Sequence, residues 1–193
     1  MISQLKMSKK QLLIEVATKL FVERGFHATP TSVITQEAGM SSGILFHYFK
    51  TKDDLITQIY VELKKEYTDS ILRDIEQFKA GRSKIRMIWS NSWNWGLKNP
   101  IKFDFLRQLD NSTYVNSVKN HPEIIAKNKL FEDLFQEYTN NRFIRNIDVY
   151  FTMDSMFALI NSMVNHLTLY PELKDDNSFI EQAWDMFYNY LKF

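Results

Sequence analysis

The sequence predicts an all-α protein of about nine helices, with a small three-helix domain at residues 1–52 and a helical bundle at residues 53–193. Two observations predict this class. Apolar residues recur at intervals of three and four along most of the chain, whereas the period-two alternation typical of strands never lasts more than a few residues. Only five glycines and four prolines occur in 193 residues, which favours long helices with few interruptions.

The first two helices are predicted from their ends. Ser8 can cap the first helix, and Gly25 can adopt the left-handed conformation that terminates it. Before the second helix, Thr29 occupies a capping position and Pro30 the first helical position, where its missing amide proton costs nothing. Gly39 is predicted to end this second helix.

The third helix is very short and lies within the stretch MSSGILFHYFKTKDDL. Ser41 can cap it, and Leu45 and Phe49, four residues apart, provide one packed face. Thr51 with Asp54 three residues later forms a capping box for the next helix. A glycine-containing turn of about three residues joins the second and third helices, which is the layout of a helix-turn-helix unit.

Longer helices are predicted after Thr51. The fourth helix can run unbroken to Phe78, before a glycine ends it. Residues 110–120 are predicted to be irregular or weakly helical, and Ser178 with Glu181 forms a capping box for the last helix. The other helices are predicted at residues 83–98, 101–109, 122–138, 147–169 and 178–191.

Charge is distributed unevenly, although the net charge is only +1. Residues 1–52 contain seven basic and three acidic residues, so this segment carries +4 and the remainder −3. A basic amino-terminal domain on a mildly acidic body is typical of a protein that binds a polyanion at one end. Chance asymmetry among a few surface charges is the alternative.

Several kinds of site and activity are excluded or disfavoured. With no cysteine, the chain has no disulfide or thiolate metal site, which fits a reducing cytosol and predicts a cytoplasmic location. There is no glycine-rich phosphate loop, no Gly-x-Ser-x-Gly motif and no histidine pair at metal-ligand spacing, so no enzyme activity, metal or cofactor is predicted. Neither a signal peptide nor an apolar run of roughly 18 residues is recognised, so no membrane association is predicted.

A helix that reads DNA must present one face to the major groove while its opposite face packs inside the protein. Because Leu45 and Phe49 provide the packed face, Ile44, His47 and Tyr48 project elsewhere. His47 can donate to purine acceptors, and Ile44 offers an apolar contact of the kind that suits a thymine methyl. Burial in the core is the alternative, but four successive side chains of one helix cannot all point inward.

Other residues around this short helix suit phosphate groups. Ser41 and Ser42 lie at its start, where free amide protons and the helix dipole favour an anion, and Gly43 lets the backbone come close. Lys52 adds a cation in the first turn of the next helix. Such phosphate contacts position a protein on DNA without reading its sequence.

The stretch ATPTSVITQEAGMSSGILFHYFKTKDDLI closely resembles the helix-turn-helix of the TetR family of bacterial transcription regulators, in which a phrase of the type TLYHYFKSKEDL is characteristic. The resemblance covers about residues 8–56. It implies DNA contacts from the front of the second helix, the front and face of the third, and the start of the fourth. The implied DNA-binding residues are Thr31, Ser32, Ser41, Ser42, Gly43, Ile44, His47, Tyr48 and Lys52.

Two residues depart from the family pattern. Phe46 stands where the family commonly has tyrosine, so a phosphate contact through that hydroxyl is missing here. Ile44 replaces a usual threonine, which affects the expected base preference.

Members of the family are homodimers whose carboxy-terminal domain binds a small molecule and thereby changes the separation of the two DNA-binding domains. The resemblance therefore implies a ligand-responsive, dimeric repressor that releases a palindromic operator when a small organic molecule binds. An activator of the same family is one alternative. A helical small-molecule-binding module without DNA function is another.

Candidate effector contacts lie on several helices of the body, where the alternative for each is an ordinary core position. Trp89 and Trp93 are one turn apart in IWSNSWNWGLKNP, which resembles the corresponding stretch of family members that control multidrug efflux. Asp154 lies on a very apolar helix, either as a buried acid facing a cationic ligand or at a solvated edge. Further aromatic and thioether surface comes from residues that include Phe131, Phe135, Tyr138 and Met156. The predicted effector-binding residues are Tyr60, Lys64, Trp89, Trp93, Phe105 and Asp154.

The last two predicted helices are the candidates for a dimer contact. They carry more apolar residues than one inward stripe on each helix requires. Two such helices from each subunit form a four-helix contact with two-fold symmetry, which matches a palindromic operator. The alternative is that they are the interior of a monomeric bundle.

Overall fold

The computed structural model describes residues 8–193, and this part of the chain is all-α, as predicted. Two short 3-10 helices, Ile75–Gln77 and Pro171–Asp175, accompany ten α-helices. Lys6, which contributes to the basic amino-terminal segment, lies outside the described residues. The α-helices are α1 (Lys9–Arg24), α2 (Thr31–Glu37), α3 (Ser42–Tyr48), α4 (Lys52–Ile71), α5 (Arg82–Lys98), α6 (Pro100–Asp110), α7 (Val115–Val118), α8 (Pro122–Asn140), α9 (Val149–Leu169) and α10 (Asn177–Leu191).

Contacts between residues divide the described chain into two compact units. The first, called the head unit, comprises residues 8–64 and 101–120; the second, the body unit, comprises residues 65–100 and 121–193. The predicted functional boundary between residues 52 and 53 stays a prediction. No helix within residues 8–193 is long and apolar enough to cross a membrane.

The head unit is built on fully buried apolar residues of α1, α3, α4 and α6. Residues 101–120 are part of this unit, although they are distant from the helix-turn-helix in sequence. The buried Phe105 ring lies 6.3 Å from the ring of Phe21 and 5.4 Å from that of Phe26. The side-chain amide of Gln108 also donates to the Val22 carbonyl at 3.1 Å. Helix α6 is therefore held against α1 by ring packing and a hydrogen bond.

The body unit has an aromatic core between α5 and α10. The buried ring of Trp89 lies 5.5 Å from that of Trp184 and 6.1 Å from that of Phe187. Two ion pairs join the same helices at the surface, one from Arg82 to Asp185 and one from Arg86 to Glu181. Exposed ion pairs of this kind contribute little stability. Burial of apolar side chains between the two helices therefore contributes most of the stability of their contact.

The fourth helix is shorter than predicted. It ends at Ile71 instead of Phe78, because the chain turns and Asp74 adopts a left-handed conformation with φ 61°. The side-chain amide of Asn91 in α5 donates to the carbonyls of Ile71 and Arg73, at 3.2 and 3.1 Å. A residue distant in sequence thus satisfies backbone carbonyls at the helix end, which the local pattern could not indicate.

Two of the predicted caps are confirmed. The backbone N–H of Gln11 donates to the Ser8 hydroxyl at 3.1 Å. At the start of α4, the N–H of Asp54 donates to the Thr51 hydroxyl at 3.0 Å, and the N–H of Lys50 donates back to the Asp54 carboxylate at 2.9 Å. The local sequence was sufficient at both places because donors and acceptors lie within four residues of each other.

Two other predicted caps are wrong. The buried hydroxyl of Thr29 donates to the carbonyls of Gly25 and Leu20, at 2.8 and 3.3 Å, and Pro30 takes the capping position of α2. For α10, the cap is Asp176 instead of Ser178, since the Asp176 carboxylate accepts from the N–H groups of Ser178 and Phe179, the second and third residues of the helix. A third predicted cap, Ser41, occupies the capping position of α3 without a side-chain hydrogen bond.

Candidate DNA-binding surface and effector cleft

Helix α3 is held in the head unit by its two predicted anchors. Leu45 is fully buried and Phe49 is 2% exposed. The turn before the helix uses Gly39 with φ 64°, a conformation that glycine adopts at no steric cost, and the Met40 N–H donates to the Thr35 carbonyl at 2.8 Å. The position of α3 is thus fixed from both its packed face and its leading turn.

The face of α3 opposite these anchors is accessible. At about 100° per residue, His47 projects away from Leu45 and Phe49, and Phe46 and Tyr48 lie on either side of it. His47 is exposed, Phe46 is 51% exposed and Tyr48 is 38% exposed. The alternative prediction, that the side chains of His47 and Tyr48 are buried in the core, is therefore excluded for the single chain.

The polar residues at the helix starts are accessible as well. Ser41, Ser42, Gly43 and Ser32 are exposed, while Thr31 and Ile44 are half-buried. All nine predicted DNA-binding residues belong to the head unit, at the front of α2, along α3 and at the start of α4. Their contacts with DNA stay a prediction.

Lys52 is the first residue of α4 and is partly covered by the aromatic core of the head unit. Its ammonium lies 5.9 Å from the centre of the Phe21 ring. Burial lowers the pKa of this ammonium, while the neighbouring Asp53 carboxylate raises it in part. A second cation, Lys10 in α1, lies 5.7 Å from the centre of the Phe49 ring. One lysine therefore lies over the ring of the anchor Phe49 and the other over a core ring of α1.

Three of the six predicted effector residues, Tyr60, Lys64 and Phe105, lie in the head unit. The Tyr60 hydroxyl donates to one oxygen of Asp110 at 2.7 Å, and the Lys64 ammonium lies 3.4 Å from the other. Burial raises the pKa of the Tyr60 hydroxyl; Lys64 opposes this and Asp110 adds to it. Asp110, which the sequence did not single out, thus joins α4 to the end of α6.

The other three predicted effector residues lie in the body unit. Trp89 and Trp93 are buried, with ring centres 5.9 Å apart, and the Trp93 indole N–H has no hydrogen-bond partner among residues 8–193. Trp89 also lines a groove between α9 and α10, next to Met163 and Phe187. Asp154 is exposed, which agrees with the solvated-edge alternative.

A second cavity in the body unit was only partly indicated by the sequence. This apolar cleft has a cavity volume of about 40 Å³ and is partly open to solvent. The sequence indicates Phe131, Phe135, Tyr138 and Met156 as aromatic and thioether surface, but the aliphatic residues carry no chemical signal that separates a cleft from a core. The residues that line the apolar cleft are Ile85, Ile88, Phe131, Leu134, Phe135, Tyr138, Ile144, Met156 and Leu191.

The part of the chain that folds as the helix-turn-helix matches a known family. Residues 13–59, from α1 to the first turns of α4, match the family described as bacterial regulatory proteins, tetR family. This segment is a helix-turn-helix of the TetR family type. The match covers the buried anchors and the exposed face of α3, so the helix-turn-helix predicted from the sequence is confirmed.

Known proteins resemble this chain in sequence and in fold. The fatty acid metabolism regulator protein of Bacillus subtilis is 25% identical over 89 residues, which are 46% of each chain, so the chain spans about half the length of this relative. A tetR family transcription regulator from Shewanella sp. PV-4 has a TM-score of 0.85 at 23% identity, over 97% of this chain and all of the other. FadR from Bacillus subtilis, solved in complex with stearoyl-CoA, has a TM-score of 0.71 at 17% identity, over 93% and 97% of the chains.

Proposed function

We propose that this chain is a dimeric, effector-responsive DNA-binding regulator of transcription of the TetR family. In its specific form, the proposal is a repressor that releases a palindromic operator when a small organic molecule binds the body unit. The observation that carries it is the geometry of α3, whose exposed polar and aromatic face lies opposite two fully packed anchors. Such a helix has no structural need for exposed aromatic residues, whereas a recognition helix needs a free face.

On DNA, the residues of this surface would have different tasks. His47 and Ile44 would contact base edges in the major groove, because they lie on or beside the face opposite the anchors. Thr31, Ser32 and Lys52 would contact phosphates at the groove edges, as would Ser41, Ser42, Gly43 and Tyr48. A regulator of this kind works where the DNA is, which in a bacterium is the cytoplasm.

The last two helices support the dimer part of the proposal. Met186 on α10 is 65% exposed and Leu169 at the end of α9 is 73% exposed. Between these helices lies the groove that Leu159, Phe179 and Met186 help to line. Apolar surface of this kind on two adjacent helices suits a symmetric contact with a second copy of the chain, which would place two recognition helices on a palindromic site.

The effector part of the proposal rests on the body unit. The buried Trp93 N–H lacks a partner among the described residues, and a ligand acceptor would satisfy it. A solved structure of similar fold, FadR from Bacillus subtilis, is described in complex with stearoyl-CoA, which supports a small organic effector for this chain as well.

Selection from a pool of random double-stranded DNA tests the proposal. The full chain, shown to be folded by its helical circular dichroism, should enrich a short site with two-fold symmetry. A variant in which His47 is replaced by Ala serves as the control, since it should enrich the site less strongly. If the folded wild-type chain recovers only unrelated sequences, the DNA-binding function is refuted.

A further inference from the structure

Phe46 is an exposed apolar side chain on α3, the helix at the centre of the candidate DNA-binding surface. It is 51% exposed, more than Leu45 or Tyr48 on the same helix. The rings of His47 and Tyr48 lie 5.0 Å apart in an edge-to-face arrangement, whereas the Phe46 ring has no ring contact among residues 8–193. The exposed half of this ring is therefore free to contact a partner outside the chain.

Gly43 lies one turn before Phe46 and leaves space beside it. At about 100° per residue, Gly43 projects between Phe46 and His47, and helical side chains lean towards the turn that precedes them. A Cβ atom built on Gly43 would meet no side chain beyond its sequence neighbours within 4 Å, and this glycine has no positive φ. The fold does not require glycine here, because alanine would fit and is the better helix former. The space beside Phe46 is thus left open by the protein itself.

The chemistry of the Phe46 ring restricts what it can recognise on DNA. A phenylalanine ring carries no hydroxyl and no amide, so it cannot pair with the donors and acceptors of base edges. The C5-methyl group of thymine is the apolar group that base edges present in the major groove, and it suits contact with an apolar side chain. Within residues 8–52, six basic and three acidic side chains favour a polyanion over an apolar protein surface as the partner.

We propose that Phe46, with the space beside Gly43, recognises the C5-methyl group of a thymine in the major groove. The inference rests on the proposed function and adds a specificity-determining residue to it. It also names the chemical group that this residue recognises. The same methyl group occurs on 5-methylcytosine, so the experiments below separate recognition of the methyl group from recognition of thymine.

The first test replaces thymines of the selected site by uracil, one symmetric pair at a time. Uracil pairs with adenine as thymine does but lacks the C5-methyl group. At one pair of positions, the replacement should weaken binding of the full wild-type chain about ten-fold, since burial of each methyl group contributes roughly three- to four-fold. Fluorescence anisotropy measures the affinities. An affinity that is unchanged by uracil at every position overturns the proposal.

The second test assigns the methyl contact to Phe46. Phe46→Ala should bind the thymine and uracil duplexes equally well, whereas Phe46→Tyr keeps the ring and should keep the uracil effect. Ile44→Ala, on the other side of His47, is the matched control and should also keep it at this position. A uracil effect that persists in full in Phe46→Ala overturns the proposal. Without DNA, Phe46→Ala should sediment as the wild type does, and a change would assign the ring to a contact between proteins instead.

The third test fills the space beside Phe46. Gly43→Ala should leave the thermal midpoint unchanged or raise it, because the added Cβ meets no neighbouring side chain. The same Cβ would occupy the space of the thymine methyl, so binding of the selected duplex should weaken at least about ten-fold. A Gly43→Ala chain that binds the selected duplex as tightly as the wild type overturns the assignment of this space.

The fourth test separates the methyl group from the rest of the base. The sensitive adenine–thymine pairs are replaced by guanine–cytosine pairs, with either cytosine or 5-methylcytosine. The methylated duplex should bind about ten-fold more tightly than the unmethylated one if two methyl groups are contacted. Equal binding of these two duplexes contradicts methyl recognition. The random pool contains no 5-methylcytosine, so an enriched thymine at this position identifies thymine as the source.

The fate of this inference can be distinguished from that of the proposed function. If the folded chain enriches no site from random DNA, the regulator is refuted and base recognition by Phe46 with it. If a site is enriched but binds equally well with thymine and with uracil at every position, only the role of Phe46 is overturned. An enriched site with a uracil effect that Phe46→Ala abolishes supports both.

Discussion

His47 and Lys52 belong to the same candidate DNA-binding surface but should act on DNA in different ways. His47→Ala should reduce the preference for the selected site over a scrambled duplex by about ten-fold, because a base contact is lost. Lys52→Ala should weaken both duplexes alike and reduce the slope of log affinity against log salt by about one. Fluorescence anisotropy at several salt concentrations measures both effects. Identical changes on the two duplexes for both variants would contradict this division of roles.

The Tyr60 hydroxyl should make part of the stability depend on alkaline pH. Because burial raises its pKa, the folded chain keeps this proton at a pH where the unfolded chain, with a tyrosine pKa of about 10, releases it. The resulting stability is present below about pH 10 and is lost as the pH rises further. Tyr60→Phe should cost about 1–3 kcal/mol in unfolding free energy at neutral pH, since Asp110 loses a donor.

Urea denaturation at neutral pH and at about pH 11 checks this expectation, and the difference between wild type and Tyr60→Phe should shrink at the higher pH. Tyr170→Phe is the control, because Tyr170 is half exposed and makes no side-chain hydrogen bond among residues 8–193. A difference that grows with pH would show that the sign of the Tyr60 contribution is wrong.

At the scale of elements, Phe46 in α3 and Phe49, which directly follows the last residue of this helix, should behave in opposite ways. Phe49 is 2% exposed and Phe46 is 51% exposed, although they lie only three residues apart. Phe49→Ala should lower the unfolding free energy by about 3–5 kcal/mol, because a buried ring leaves a cavity. Phe46→Ala should change it by less than about 1 kcal/mol. Chemical denaturation followed by circular dichroism measures both, and equal losses would show that α3 is anchored differently.

The helix ends show how far the sequence could predict the elements. The caps at Ser8 and Thr51 were predictable because all their donors and acceptors are local. Thr29 and Ser178 looked equally suitable, but a buried hydroxyl found backbone carbonyls elsewhere and Asp176 competed successfully for the start of α10. The end of α4 depends on an amide of α5, so only the tertiary structure reveals it.

The two candidate sites differ in how far the sequence could predict them, because one is built from neighbouring residues and the other from residues that are distant in sequence. The DNA-binding surface lies on one short, locally specified motif, so its accessible residues could be named in advance. The apolar cleft is assembled from four helices and a loop, and its aliphatic residues look like any other core residues in sequence. For residues 101–109, the apolar pattern indicated a helix but could not indicate that it packs against α1.

At the scale of the whole molecule, the proposed dimer makes a prediction about Met186. Met186→Glu introduces a charge on the exposed apolar surface of α10, and burying that charge in a dimer contact is unfavourable. Sedimentation equilibrium should show a dimer that is weakened at least about ten-fold, with the thermal midpoint of the monomer little changed. Ile125→Glu, at a residue of α8 that is 55% exposed, is the control and should leave the dimer intact. A dimer unaffected by Met186→Glu would exclude this surface.

The most direct test of the central claim is the spacing of the two half-sites in the selected DNA. Two recognition helices held in one dimer bind half-sites at a fixed separation, and B-DNA turns once in about 10–10.5 base pairs. Inserting roughly half a turn of DNA between the half-sites places them on opposite sides of the duplex. We expect this insertion to weaken binding at least about 100-fold, and a full-turn insertion to weaken it less. Affinity that is unchanged by the half-turn insertion would contradict the account, because each chain would then bind its half-site independently.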